Sequence, residues 1–193
     1  MWELLELWGG CFFWIESLML VLFGVYLLFR NVSLVDLGWS VSFLCCVLIL
    51  WLFSEGYFWR QLLLTLLVGA WSGRLTLHLA RRFSPSQDDP RYERILSRFV
   101  LPAPLPVKVL LLYLIQGAIA SFLSLPFLLI FSNTAAAFSA WEMYGVLVWG
   151  IGFWGVTTAD RELAHFRAED STGQGICMTG LWRYSRHPNY FFE

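Results

Sequence analysis

Charge is what this sequence has least of. Only 14% of its 193 residues are Asp, Glu, Lys or Arg, against roughly 25% in a soluble domain. Hydrophobic residues make up 58% and aromatics 18%. A soluble fold of that composition would expose large apolar patches, which excludes a soluble enzyme or a disordered chain. The formal net charge is −1, so no global field draws in nucleic acid, and no such partner is expected. The four cysteines, Cys11, Cys45, Cys46 and Cys177, form no CxxC pair. Neither zinc nor a thiol redox pair is indicated, and no metal site is expected. Three of them lie inside apolar runs and read as small hydrophobes. The N-terminal MWELLELWGG is acidic and lacks a basic n-region. A cleaved signal peptide is therefore disfavoured, and the first apolar run is expected to stay as a membrane helix. Internal repeats and low-complexity tracts are absent too.

What is present is apolar length. The runs CFFWIESLMLVLFGVYLLF and VLLLYLIQGAIASFLSLPFLLIF each match the ~20 residues that cross a bilayer core. Five complete spans are expected, at 11–29, 34–53, 58–79, 107–131 and 141–158. They make an all-α, polytopic membrane helical bundle in one domain, 1–193, with the lipid bilayer as its first partner. The segment LPAPLPVK leads into the fourth span with prolines suited to helix N-terminal positions. Arg30 follows the first span. Arg81, Arg82, Arg91, Arg94 and Arg98 lie in the loop 80–106, with Lys108 just beyond. Arg161, Arg167, Arg183 and Arg186 lie in the segment 159–193. The opposite connections, 54–57 and 132–140, hold no Lys or Arg, and Arg60 is the one basic residue near that face. The positive-inside rule then places the N-terminus outside and both basic segments in the cytoplasm. The chain stops at Glu193 in NYFFE, which reads as the start of a sixth helix. It is expected to be C-terminally incomplete or a shortened form.

Ionisable groups are costly in a membrane, so their places are informative. Asp36 opens the second span, and Ser33 stands three residues before it, as in a capping box. Asp36 either satisfies helix N-terminal amides or carries function, and the two are compatible. Arg74, His78, Arg81 and Arg82 share one face of the third span. That face suits snorkelling to lipid phosphates and equally a phosphate-bearing cofactor. Asp88 and Asp89 before Pro90 read as a turn into a solvated helix bearing Arg91 and Tyr92. Gln116 lies inside the fourth span, where it bonds either a neighbouring helix or a ligand. The fifth span runs out through Asp160, Arg161, Glu162, His165 and Arg167, a solvated face or part of a site. The densest signal is TGLWRYSRHPNYFFE. Arg183 and Arg186 can clamp phosphates, Asn189 can read an amide or sugar hydroxyl, and the Trp182 and Tyr faces can stack a flat ring. A juxtamembrane aromatic belt is the plainer alternative. All these groups lie toward one side, as a polar cytoplasmic pocket over an apolar interior would require.

The segment GLWRYSRHPNYFFE resembles the C-terminal signature of the bacterial DUF1295 family. That family is similar to the C-terminal domain of steroid 5-alpha-reductases. VDLGWS with Asp36 and Trp39, WSGRLTLHLARR, the DPRY segment, Gln116 and ADRELAHF match in order. The resemblance implies an integral protein of a bacterial inner membrane that reduces an activated carbon–carbon double bond with NADPH. The substrate would be an apolar lipid or steroid-like molecule. Arg183, Tyr184, Arg186, His187, Asn189 and Tyr190 would line the cofactor site, supported by Asp160, His165 and Arg167. Arg74, His78 and Arg82 would complete a phosphate pocket, and Asp36, Trp39 and Gln116 would meet the substrate. Tyr190, His187 or Tyr92 would supply the proton or hydrogen bond to the developing enolate. Phe192 stands where the family usually has a small residue. Isoprenylcysteine and phospholipid methyltransferases, which bind S-adenosylmethionine, have a similar Arg-His-Pro-x-Tyr segment and supply the alternative reading. A non-catalytic, shortened family member is the third.

Overall fold

The computed structural model describes residues 2–83, 88–100, 102–170 and 175–193. The parts of the loop 80–106 and of the segment 159–193 that fall between these stretches lie outside the described residues. Among the described residues every regular element is helical. In order they are α1 (Trp2–Phe29), α2 (Leu34–Phe53), α3 (Phe58–Arg82), α4 (Pro90–Ser97), α5 (Leu105–Leu123), α6 (Leu125–Phe131) and α7 (Ala140–Glu169), then a 3-10 turn (Gly180–Arg183) and α8 (Pro188–Phe192). The chain divides into two compact units, Met1–Ala136 and Ala137–Glu193.

Four helical stretches are long and apolar enough to cross a membrane: Leu4–Phe29, Leu34–Phe53, Phe58–Arg82 and Leu105–Phe131. They correspond to the first four spans expected from sequence, and the pattern is that of an integral membrane protein. The stretch 141–158 lies within α7 but is not among the four. Trp, Tyr, Gly and Thr are spread through it and dilute its Val, Leu and Ile.

In the first unit α1 packs on α2 and α5, and α2 packs on α3. Lipid tails are as apolar as leucine, so close approach and interhelical hydrogen bonds hold such helices together. Gly38 lets α1 approach α2 so closely that a Cβ there would lie 2.5 Å from Leu22 Cδ1. Ser72 Oγ donates to the Ser40 carbonyl at 2.7 Å, and Ser40 Oγ lies 2.7 Å from Thr76 Oγ1. Trp8 Nε1 donates to the Ser121 carbonyl at 3.1 Å, joining α1 to α5. Each such bond contributes about 0.6 to 2 kcal/mol in a membrane.

The fourth span is not one helix. It breaks at Ser124, between α5 and α6. Pro126 has no N–H for the carbonyl four residues back, and its ring crowds that turn. Ser124 Oγ donates to the Ala120 carbonyl at 2.8 Å, beside the bond its own N–H makes there at 3.0 Å.

Arg60, the basic residue on the otherwise uncharged connection face, is 3% exposed. Its guanidinium donates to the carbonyls of Asn133 (3.2 Å) and Ala135 (2.6 Å) and lies over the Tyr57 ring. These carbonyls follow α6, where a cation also meets the negative end of the helix dipole. Gln61, likewise buried, donates to Ser54 Oγ at 3.0 Å and to the Phe131 carbonyl at 3.1 Å.

At the other end of the unit, α1 stops on Arg30, whose N–H reaches the Tyr26 carbonyl at 2.7 Å. Arg30 has φ 56°, the left-handed conformation that usually falls to glycine after a helix. In an L-residue with a side chain it costs about 1–2 kcal/mol.

In the second unit α7 opens on a capping box. Ser139 Oγ accepts from the Glu142 N–H at 3.2 Å, and Glu142 Oε2 accepts from the Ser139 N–H at 2.7 Å. The short α8 packs on α7. Gly155 lies directly under the Phe192 ring, where a Cβ would collide with it.

Candidate functional site

The first unit gathers its polar groups around α4. Asp89 caps that helix, accepting the Arg91 N–H at 2.9 Å, and Pro90 occupies its first turn. The sequence Asp-Pro encodes this start directly. Asp88 turns the other way, onto the connection between α1 and α2. It accepts the Val32 N–H (2.9 Å), the Ser33 N–H (3.1 Å) and the Ser33 hydroxyl (2.7 Å). The capping box read at Ser33 and Asp36 is therefore not formed. α2 has no side-chain cap, because the Ser33 hydroxyl is engaged by Asp88.

This clamp sets α4 over Asp36. Tyr92 donates its hydroxyl to Asp36 Oδ1 at 2.5 Å. Arg91 Nη2 donates to Asp36 Oδ2 at 3.1 Å, and Arg91 Nε donates to Asp89 Oδ2 at 2.9 Å. The expectation of a merely solvated helix fails at Tyr92, which is buried against α1, α2 and α5 in the same apolar cluster as Tyr26, Val35 and Tyr113. Burial pushes the Tyr92 phenol up, and the adjacent Asp36 charge and hydrogen bond push it further, so it stays neutral. Burial alone would raise the Asp89 carboxyl, but the Arg91 N–H and guanidinium outweigh it and hold Asp89 below the usual carboxylate range. The Arg91 guanidinium is opposed by burial and held up by Asp36 and Asp89.

Beside this network lies a cleft of about 360 Å³, lined in part by Ser33, Asp36, Arg82, Asp88, Asp89 and Arg91. The structure thus brings together Asp36 and Arg82, with Tyr92 behind Asp36. Arg74 and His78 lie half-buried farther back along α3. Trp39 does not join Asp36. It packs edge-on to Phe43 at 5.5 Å, and Phe43 packs in turn on Trp71, in the aromatic part of the core. Gln116 is half-buried on α5, and the next residue, Gly117, faces the Glu16 carboxylate of α1. Sequence reasoning missed Asp88 as the hub. The doubled Asp before Pro90 was the available signal, since one carboxylate suffices for a cap.

The second unit carries the other candidates. Trp182 Nε1 donates to the Ala159 carbonyl at 2.8 Å, the Leu181 N–H donates to Glu162 Oε2 at 2.8 Å, and Asn189 Nδ2 reaches Asp160 Oδ1 at 3.4 Å. These three contacts fix the 180–190 segment along α7. Gly180, at φ 55°, is needed here, because a Cβ would run into the Glu162 carboxylate. Arg183, Tyr184, Arg186, His187 and Tyr190 remain exposed. The His187 and Tyr190 rings lie 5.4 Å apart. Asn189 Oδ1 is buried without a hydrogen-bond partner among the described residues. His165 is paired with Glu169 at 3.3 Å on the solvated side of α7, and Arg167 is exposed. Glu162 could be read in the sequence only as one carboxylate of a charged helical turn, and nothing local marks it as the anchor of Leu181. Phe192 is accommodated by the glycine beneath it, so its bulk is turned into α7.

No curated protein and no solved structure matches this chain. Residues 22–193 match the family described as a protein of unknown function (DUF1295). That match takes in the Asp36 network and the whole 180–192 segment, and on it the protein belongs to the DUF1295 family.

Proposed function

We propose that this protein is a membrane oxidoreductase similar to steroid 5-alpha-reductases, using NADPH to reduce an activated C=C bond in a lipid or steroid-like substrate. The observation that carries the reading is the 180–190 segment. Leu181, Trp182 and Asn189 tie it to α7, and two arginines, a histidine and two tyrosines face outward. A scaffolded, exposed pair of guanidiniums beside aromatic rings suits a phosphate-bearing dinucleotide. The buried, unpartnered Asn189 Oδ1 fits the same group, because an amide or hydroxyl of the cofactor would satisfy it. Arg183 and Arg186 would hold phosphates, and Tyr184, His187 and Tyr190 would flank the rings, with Asp160 behind Asn189. NADPH supplies the hydride when bound.

In the first unit the chain's own contribution is a neutral phenol held by a carboxylate. Tyr92 keeps its proton, and Asp36 fixes its direction. A substrate oxygen that gains charge could displace Asp36 as the acceptor of the phenol hydrogen. In this reading α7 supplies a fifth span, the N-terminus lies outside, and both clusters face the cytoplasm of a bacterial inner membrane.

The test is a thermal shift of the purified protein in detergent. NADPH should stabilise it, and S-adenosylmethionine should not. Arg186→Ala and His187→Ala should each weaken the NADPH shift at least tenfold in concentration. An unchanged NADPH response in both variants would sink the site, and stabilisation by S-adenosylmethionine alone would make the protein a methyltransferase.

A further inference from the structure

A second cleft lies on the other side of the Asp88–Pro90 segment. It encloses about 590 Å³ between the end of α1, α4 and the start of α5, within the range of small-molecule sites. Arg30 follows the last residue of α1, and Lys108 lies in the first turn of α5. Both cations therefore stand where two apolar spans end, at the depth of lipid headgroups.

The charges on the cleft sort themselves by their existing bonds. Asp88 is occupied by Val32 and Ser33, and Asp89 by Arg91. Lys108 Nζ donates once, to the Phe99 carbonyl at 3.1 Å, and keeps two N–H groups. The Arg30 guanidinium and the exposed Glu93 carboxylate have no described partner. The uncommitted groups are thus two cations and one anion, above an apolar wall of Tyr26, Leu96 and Leu105. Among the described residues Arg30 is also the one non-glycine with positive φ, left-handed at a position glycine would fill without strain. Strain retained beside a cleft is a pointer to function.

We propose that this cleft binds the headgroup of a zwitterionic, amine-bearing phospholipid. Its phosphate lies on Arg30 and Lys108 and its ammonium on Glu93, and its chains run down past Leu105 into the bilayer. An anionic lipid such as phosphatidylglycerol would satisfy the cations but offer Glu93 no counter-charge. This inference is independent of the reductase reading.

The experiment is native mass spectrometry of the whole protein released from nanodiscs holding equal phosphatidylethanolamine and phosphatidylglycerol. The wild type should retain phosphatidylethanolamine in preference. Arg30→Gly should lower that retention at least tenfold while thermal stability stays equal or rises, since glycine takes the left-handed backbone freely. Glu93→Gln should swing the preference toward phosphatidylglycerol. Wild-type retention in Arg30→Gly overturns the proposal, as does a wild-type preference for phosphatidylglycerol. A loss of lipid that only parallels a loss of stability overturns it too, since Arg30 would then act on the fold. Displacement by millimolar glycerophosphoethanolamine would show that the acyl chains take no part, and would overturn the membrane lipid as the occupant.

Discussion

Tyr92 and Arg91 both reach Asp36, yet they should contribute unequally. The Arg91–Asp36 pair is partly exposed, at 54% and 28% for the two side chains, and such pairs contribute about 0–1 kcal/mol. The Tyr92 hydroxyl bond is made from a buried ring to a charged acceptor, a class that contributes about 1.5–3 kcal/mol. Tyr92→Phe should therefore destabilise the detergent-solubilised protein more than Arg91→Ala in a denaturant titration, and it should also abolish turnover of an enone lipid. Equal losses would show that Asp36 serves mainly as the partner of Arg91. Asp89 gives a pH prediction. Its folded-state pKa is depressed, so its stabilising contribution is present above the ordinary carboxylate range of about 4 and is lost as pH falls through the depressed value. Hydrogen-exchange protection of α4 should drop on acidification in the wild type and respond less in Asp89→Asn, which still caps the helix. Asp36 was legible in the sequence as a carboxylate at the mouth of a span. Its partner was not, because Tyr92 lies 56 residues away and no local spacing encodes a contact across that distance.

At the scale of elements, the first four spans could be read because continuous apolar length is a local property of sequence. The break at Ser124 was harder to see, since Pro126 is surrounded by Leu and Phe that keep hydropathy high across the bend. The docking of α8 on α7 was invisible, because it depends on one absent Cβ. Gly155→Val should push Phe192 off α7, lower thermal stability by roughly 1–3 kcal/mol as an overpacked contact does, and weaken NADPH binding. Adding Phe192→Ala should restore part of both losses. A double variant whose losses are simply additive would mean that the two residues do not share the space.

For the whole molecule, the distribution of charge was more informative than its sum, and Arg60 marks where that reading needed the structure. As a count it opposes the positive-inside pattern; as a side chain it is wrapped in carbonyls and presents little field to either surface. The proposed orientation predicts that a cysteine at Ala135, in a variant lacking the four native cysteines, is labelled by an impermeant thiol reagent added to whole cells. A cysteine at Ser97 should react only after the cells are opened, and the reverse result would invert the topology. The joint at Ser124 bears on the bilayer itself. As one straight helix the 27 residues of Leu105–Phe131 would reach about 40 Å, against a hydrocarbon core of about 30 Å. Bending shortens that reach, so the fourth span can meet a thinner or thicker membrane by flexing at one point. The paired α1 and α5 need not tilt to do so, and the α4 network that rests on them keeps its level at the membrane surface.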